Sequence, residues 1–406
     1  MLNVAVINGG RGAASLIPSL LNAPGLQVTS IVNAYDDGKS TGEIRKFFGM
    51  LGPSDIRKVQ ELMLPEDHKD YAACLHLFQF RYSQDIDRKS ILDELEAYAQ
   101  GQDNKITGVV FQSALIDGSI KAFINEFIVS LRLIEKITKE EFNFCDCSIM
   151  NCIYAGAFIY FNRNIEAATI AIDKLFNLKG SVLATNIEDK KLVALRENGQ
   201  MLYSEAEIVE LRSNVKIEKI YLLDQYVEKN NFDQLSFDDK RSFLERHHCF
   251  VEVSPAVKNA LSDADIIIFS SGTQHSSLYP SYLSVGLARA ISENKRALKI
   301  FITNIGADYE SPSYKASDFI KGAYRYLKLS DGIDYKIKDL FSYNLVNSSN
   351  NKADETYVQV DEDELKKIDL PYIIDNYESS DNSGKHDGSK LLKSIMGLYE
   401  SFDKVV

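Results

Sequence analysis

The chain has 406 residues, enough for one large core or two to three domains. Its 45% hydrophobic and 26% charged residues fit an ordinary globular protein, and no apolar run approaches the ~20 residues a membrane span needs, so no membrane association is expected. A net charge of -12 and a pI near 5.1 exclude a surface built for non-specific nucleic-acid binding.

Leu2–Ile7 is a short apolar run ending in Asn8-Gly9-Gly10-Arg11-Gly12, and Ala13–Leu21 continues as a helix that Pro18 kinks or delays. Strand, glycine loop and helix together lay out a phosphate cradle, because the loop amides and the helix N-terminus face an anion. Gly9, Gly10, Arg11 and Gly12 are therefore candidate phosphate ligands. The dinucleotide fingerprint would need a third glycine where Ser15 stands, which disfavours a nicotinamide oxidoreductase. Gln27–Ala34 is the second strand and feeds Asp36-Asp37-Gly38-Lys39-Ser40-Thr41-Gly42. Two adjacent carboxylates repel, and a divalent cation on a phosphate would relieve them; a plain surface turn fits the same residues. Gly38-Lys39-Ser40-Thr41 is not a Walker A motif, since Asn33 occupies the place of its first glycine.

From Ile56 to about Cys147 the pattern is helical, with Ile91, Leu92, Leu95 and Tyr98, and then Phe123, Ile124, Phe127, Ile128, Leu131 and Ile134, at helical spacing. Gly101–Lys105 breaks this insertion in two. Cys145–Phe161 and Ile165–Phe176 read as apolar helices and Gly180–Thr185 as a strand. Of the five cysteines, Cys145, Cys147 and Cys152 lack a zinc-ribbon spacing and read as buried thiols; an odd count with no secretory leader predicts reduced thiols in a cytoplasm. Leu192–Leu195 and Met201–Tyr203 flank Asn198-Gly199 as a hairpin, Lys216–Leu222 is a strand, and the polar stretch Glu228–His248 reads as an exposed excursion with His247 and His248 on the surface.

Asp265–Phe269 has the pattern of a buried strand and ends in Ser270-Ser271-Gly272-Thr273, then His275-Ser276-Ser277, hydroxyls suited to phosphate or ribose oxygens. A helix over Leu283–Ala290, a strand over Leu298–Asn304, a loop Gly306–Pro312 carrying Asp308 and Glu310, and a helix to Leu327 follow. Repeated strand-loop-helix units predict an α/β fold with a doubly wound, mostly parallel, Rossmann-like sheet. Ligands in such sheets gather at the carboxyl ends of strands, where the glycine loop, Asp36 and Asp37, Ser271 and Gly272, and Asn304 all stand. One nucleotide- or phosphate-binding crevice is expected. Residues 1–330 form this core with the helical insertion at about 56–147, and 331–406 form a C-terminal extension whose last helix, Ser389–Glu400, docks on the core. His386-Asp387 before it suits either a site or a helix start.

The glycine loop, the DDG-x-S-x-G-x-x-R segment, the P-x-D-I-R element at Asp55 and Arg57, the SPAVKNALSDADIII run and the S-G-T-x-x-S-S-x-x-P strand end together resemble the CofD/YvcK family over most of the chain, in order. The resemblance implies a Rossmann-like fold and one of two activities. A 2-phospho-L-lactate transferase moves a phospholactyl group from a guanylylated donor to an alcohol with Mg2+; the other branch binds UDP-sugars and acts on carbon metabolism and cell-wall shape without an established reaction. It implies catalytic or metal roles for Asp36 and Asp37 and catalytic roles for Arg45 and Arg57. It implies nucleotide or phosphate contacts for Gly9, Gly10, Gly12, Ser40, Asn151, Gly272, Ser276 and Ser277, and Arg11, Lys39 and Ser271 are expected at the same phosphates by their places in these loops. For Arg57 with Asp55 a local ion pair, and for Asn151 a helix cap, fit as well. A GDP/GTP-type or UDP-sugar ligand, Mg2+ and a homodimer are the expected partners. Arg11 stands where the family usually has threonine, Lys39 and Met150 where it has glycine, and Ser271 where it has proline.

Overall fold

A computed structural model of the protein describes residues 1–33, 35–85, 87–102, 108–348 and 356–402, with Arg11 described in its backbone alone. The chain divides into two compact units, Met1–Tyr35 with Ala184–Val406, and Asp36–Leu183. Its strands are β1 (Leu2–Asn8), β2 (Leu26–Val32), β3 (Ser181–Ala184), β4 (Lys191–Arg196), β5 (Met201–Leu202), β6 (Ile217–Leu223), β7 (Ile266–Phe269), β8 (Leu298–Ile302), β9 (Tyr343–Asn347) and β10 (Tyr372–Asp375).

The larger sheet runs β10-β9-β8-β7-β1-β2-β3, and β3 is the strand at which the chain passes back into the first unit. The pairings of β1 with β2 and β7, of β8 with β7 and β9, and of β9 with β10 are parallel. β7 and β8 are buried at every position, the mark of strands covered on both faces. The strand order reverses between β1 and its two neighbours, so the exits of β1, β2 and β7 lie side by side at the switch point where ligands gather. Residues 331–402, read from the sequence as a C-terminal extension, supply β9, β10 and the helix Gly388–Phe402.

A second, antiparallel sheet of order β5-β4-β6 lies in the same unit. The stretch Glu228–His248 is not the exposed excursion its polarity suggests. Its helix Phe237–His247 inserts Leu244, and the turn before it inserts Phe232, into a cluster with Val193, Leu195, Tyr203, Tyr221 and Leu223. His248 is likewise half-buried, accepting from the Leu222 amide at 3.1 Å, while His247 stays near the surface.

The second unit is helical up to β3. Ala114–Thr138 buries Ile116, Ile120, Phe123, Ile124, Phe127, Ile128 and Leu131, one stripe of a 3.6-residue period. It packs on Ile149–Tyr160, which is buried at ten of its twelve positions and so forms the unit's axis. That helix begins at Ile149 and not at Cys145, because Ser148 takes the extended backbone of an N-cap. Cys145 is exposed, contrary to its reading as a buried thiol, whereas Cys147 and Cys152 are buried with sulfurs 3.8 Å apart.

The two long helices approach closely at Gly156, where a Cβ would fall 1.7 Å from the Phe123 carbonyl oxygen. Gly156→Ala must drive the helices apart. It is expected to destabilise the protein by about 3 kcal/mol in urea unfolding; a change under about 0.5 kcal/mol would contradict this packing.

Candidate functional site

In the first unit β1 stops at Asn8, and the chain makes one tight 3-10 turn over Gly10–Ala13, closed by the Gly12 amide on the Gly9 carbonyl at 2.8 Å. The segment leaving β7 lies directly against it. A Cβ at Gly9 would stand 2.3 Å from Ser277 Cβ, and one at Gly12 would stand 2.4 Å from the Ser271 carbonyl oxygen. Glycine is required here by close backbone approach, as in phosphate-binding turns. Asn33, at the exit of β2, donates to the Ser276 carbonyl at 3.0 Å. Asn304, beyond β8, holds Gly272 from both sides, accepting from its amide at 3.0 Å and donating to its carbonyl at 2.9 Å. Four neighbouring strand exits thus converge on one loop.

The loop runs into a single π-turn, Gln274–Leu278, a form frequent at functional sites. The helix-start amides there do not await a ligand. Glu310, 3% exposed, accepts from the amides of His275 at 3.1 Å and Ser276 at 2.9 Å and faces the Ser276 hydroxyl at 2.6 Å. Ser276 is therefore engaged inward and 2% exposed. Ser271, Gly272, Thr273 and Ser277 remain half-buried at the loop's outer face. Ser271 Oγ lies 3.2 Å from Nδ1 of His386, whose ring burial pushes down to a pKa of about 4. Sequence reasoning missed the parts played by Asn33 and Glu310; the visible hint was an acidic loop, Asp308-x-Glu310, following a buried strand.

In the second unit the acidic turn has a built-in cation. Lys58 Nζ stands 2.9 Å from Asp55 Oδ1 and 3.6 Å from Asp36 Oδ2. Burial pushes the Asp55 carboxyl up and Lys58 opposes it. Asp36 also accepts from the Gly38 amide at 3.0 Å, and Arg45 donates to the Asp36 carbonyl at 3.3 Å. Asp55 and Arg57 do not form the local ion pair. Arg57, its pKa lowered by burial to about 10 and so still charged at neutral pH, donates to Asn151 Oδ1 at 3.0 Å. Asn151 in turn donates to Ser40 Oγ at 3.1 Å. Asn151 is not the cap of its helix, a place Ser148 takes. The Arg57-Asn151-Ser40 chain is buried and ends beside a cavity of about 260 Å³ whose wall includes Lys39, Ser40, Gln84 and Cys145.

Lys39 takes a φ of +46°, the left-handed region that favours glycine, and its ammonium lies 2.9 Å from Asp146. Among the described residues no three His, Cys, Asp or Glu side chains cluster as a metal site. Asp36 and Asp37, both half-buried, fit only a cation that takes its other ligands from a phosphate, as Mg2+ commonly does.

A family model described as 2-phospho-L-lactate transferase CofD matches residues 4–377. A relative from Thermotoga maritima named "Putative gluconeogenesis factor" is 23% identical over 97% of this chain and 98% of its own, and one of the same name from Aquifex aeolicus is 25% identical over 82% and 75%. Two crystal structures of protein BH3568 from Bacillus halodurans, one described as a member of the UPF0052 family, superpose with TM-scores of 0.66 at 20% identity, over 97% of this chain and 99% of theirs. This likeness establishes the shared α/β fold. No described helix is long and apolar enough to cross a membrane.

Two predictions follow from these contacts. The folded state holds His386 neutral, with a pKa of about 4 against 6.5 for the free ring. Because the unfolded chain binds the extra proton, this stability is complete above about pH 6.5 and is lost as pH falls toward 4. His386→Asn should therefore reduce the loss in urea stability between pH 6.5 and 4 by roughly 2–3 kcal/mol; an unchanged loss would show that the ring is not buried neutral. Lys39→Gly should raise stability by about 0.5–1 kcal/mol, since the relieved backbone strain outweighs an exposed ion pair; a lower melting temperature would contradict that balance.

Proposed function

The chain belongs to the family of the 2-phospho-L-lactate transferase CofD, and from that membership we propose that it binds a nucleoside-diphosphate-linked metabolite in the cradle of Gly9–Gly12 and Ser271–Ser277. The observation that carries this is the contact of Gly9 and Gly12 with Ser277 and Ser271, which leaves room for backbone and hydroxyls alone. Gly10 and the Arg11 amide belong to the same turn, at the end of β1 where a diphosphate is commonly held.

The finer reading is a transferase of a phospholactyl-type group from a guanylylated donor. An acceptor hydroxyl attacks the phosphorus bearing that group, the bond from phosphorus to the nucleoside monophosphate breaks, and the hydroxyl proton is released. Mg2+ held by Asp36 and Asp37 would supply charge neutralisation of the phosphates. Arg45 and Arg57 would stabilise charge on the transferring group, Lys39 and Ser40 would contact phosphate oxygens, and Asn151 would hold Arg57 and Ser40 in place.

A second reading, a UDP-sugar-binding regulator of carbon metabolism without turnover, is favoured by one feature. Lys58 already lies between Asp36 and Asp55, so the acidic turn is partly neutralised with no metal. The names of the relatives agree with it.

Titration calorimetry with GDP, UDP-glucose and UDP-N-acetylglucosamine, with and without Mg2+, separates them. Guanine-nucleotide binding with Mg2+-dependent transfer that Asp37→Asn abolishes, at unchanged nucleotide affinity, supports the transferase. UDP-sugar binding without turnover supports the regulator. In either case Gly12→Val should weaken binding at least tenfold, and wild-type protein that binds none of the three would overturn both.

A further inference from the structure

The hydroxyls beside the glycine turn form a line that ends on a buried carboxyl. Glu310 Oε1 is 2.6 Å from Ser276 Oγ, Ser276 Oγ is 2.9 Å from Thr273 Oγ1, and Thr273 Oγ1 is 2.9 Å from Ser277 Oγ. Ser277 is half-buried and packs on Gly9. Each hydroxyl has one proton to give and lone pairs to receive with. Ser276 has acceptors on both sides, so it donates toward Glu310 or toward Thr273 but not to both. The direction chosen at one end therefore propagates to the other.

We propose that Glu310, Ser276, Thr273 and Ser277 form a reversible hydrogen-bond relay in which the protonation of Glu310 decides whether Ser277 offers a donor or an acceptor to the ligand's phosphate. With Glu310 protonated, the carboxyl donates to Ser276, Ser276 to Thr273 and Thr273 to Ser277, and the Ser277 proton is left to point outward at a phosphate oxygen. With Glu310 ionised, its proton has gone to solvent, all three hydroxyls turn inward, and Ser277 presents lone pairs that repel the phosphate. Glu310 is thus a positioning residue that never touches the ligand. The proposal rests on the cradle binding a phosphate ester, and it adds a pH-dependent selector to that cradle.

The surroundings suit the role. The amides of His275 and Ser276 bond the other carboxyl oxygen, Oε2, in either state, so the loop keeps its shape while the relay reverses. Asp308, whose Oδ1 takes the amides of Glu310 and Ser311 at 3.0 and 2.8 Å, faces Glu310 from its own loop and opposes a second negative charge. The His275 ring is held neutral by burial, with Arg325 and Arg196 adding to that effect, and Tyr314 lies near Asp308, so no cation next to Glu310 compensates its ionisation among the described residues. Burial then pushes the Glu310 carboxyl up to about 8.

The test uses the full chain and two probes, UDP-glucose and GDP-mannose, whose linking phosphates stay ionised throughout. Affinity is measured by calorimetry between about pH 6 and about pH 9. Wild-type affinity for whichever probe binds is expected to fall about tenfold across this range. Glu310→Gln, whose amide donates permanently to Ser276, should bind as tightly as wild type at the acid end and show no fall. Thr273→Val should also lose the pH dependence while Glu310 still titrates, which a purely structural role for Glu310 would not produce. Equal slopes in wild type and Glu310→Gln would overturn the relay.

An infrared titration of the unliganded protein reads the same proton without a ligand. A carboxylic acid band should vanish near pH 8, be absent from Glu310→Gln and shift in Ser276→Ala. If neither probe binds wild type, binding of GDP and UDP-N-acetylglucosamine decides the nucleotide reading while the infrared result decides the relay; absence of the band sinks the relay whatever binds.

Discussion

The whole cradle depends on two missing side chains. β1 and β7 are parallel neighbours whose exits must pass each other within van der Waals distance, and at Gly9 and Gly12 there is no space for a carbon atom. Any other residue would push the loop after β7 away from the turn after β1. The contacts that Asn33 and Asn304 make from β2 and β8 would then lose their partners, since both asparagines bond the backbone of that same loop. Steric closeness at two positions thus sets the geometry of four strand exits.

Closeness creates a second problem, the buried polar groups of the loop itself. A helix start leaves free amides, and burying them unsatisfied costs about 1–3 kcal/mol each. Glu310 meets this with an internal carboxyl in the position a bound anion would otherwise take. Its desolvation raises its proton affinity, so the same burial that completes the loop also brings a titration into the physiological range. The helical unit meets an equivalent problem differently. Its buried Arg57 keeps its charge and is shared between Asn151 and the Phe78 carbonyl, and Asp55 relies on Lys58.

Much of this was legible in the chain. Short apolar runs such as Ile266–Phe269 announce buried parallel strands, and glycines and hydroxyls at their ends announce the cradle. What stayed hidden depends on tertiary partners. Ser276 and Ser277 are adjacent and chemically identical, and only the turn's twist sends one inward to Glu310, 34 positions away, and leaves the other outward. The pairing of Asp36 with Lys58 was invisible for the same reason, because the two stand 22 positions apart and meet only through the fold. Phe232 and Leu244 sit in a stretch polar enough to look like loop, yet these two, with Phe237 and Phe243 packed beside them, suffice when a small sheet offers them a face.

Two residues of the loops, Lys39 and Ser271, make physical sense through their partners. Lys39 keeps the left-handed backbone that a glycine would adopt freely, and its ion pair with Asp146 offsets part of that strain in a place where charge faces a cavity. Ser271 brings a hydroxyl that meets the imidazole of His386. His386 comes from the C-terminal stretch, just ahead of the helix Gly388–Phe402 that Asp387 caps. This contact therefore ties the last segment of the chain to the loop that leaves β7, 115 positions earlier.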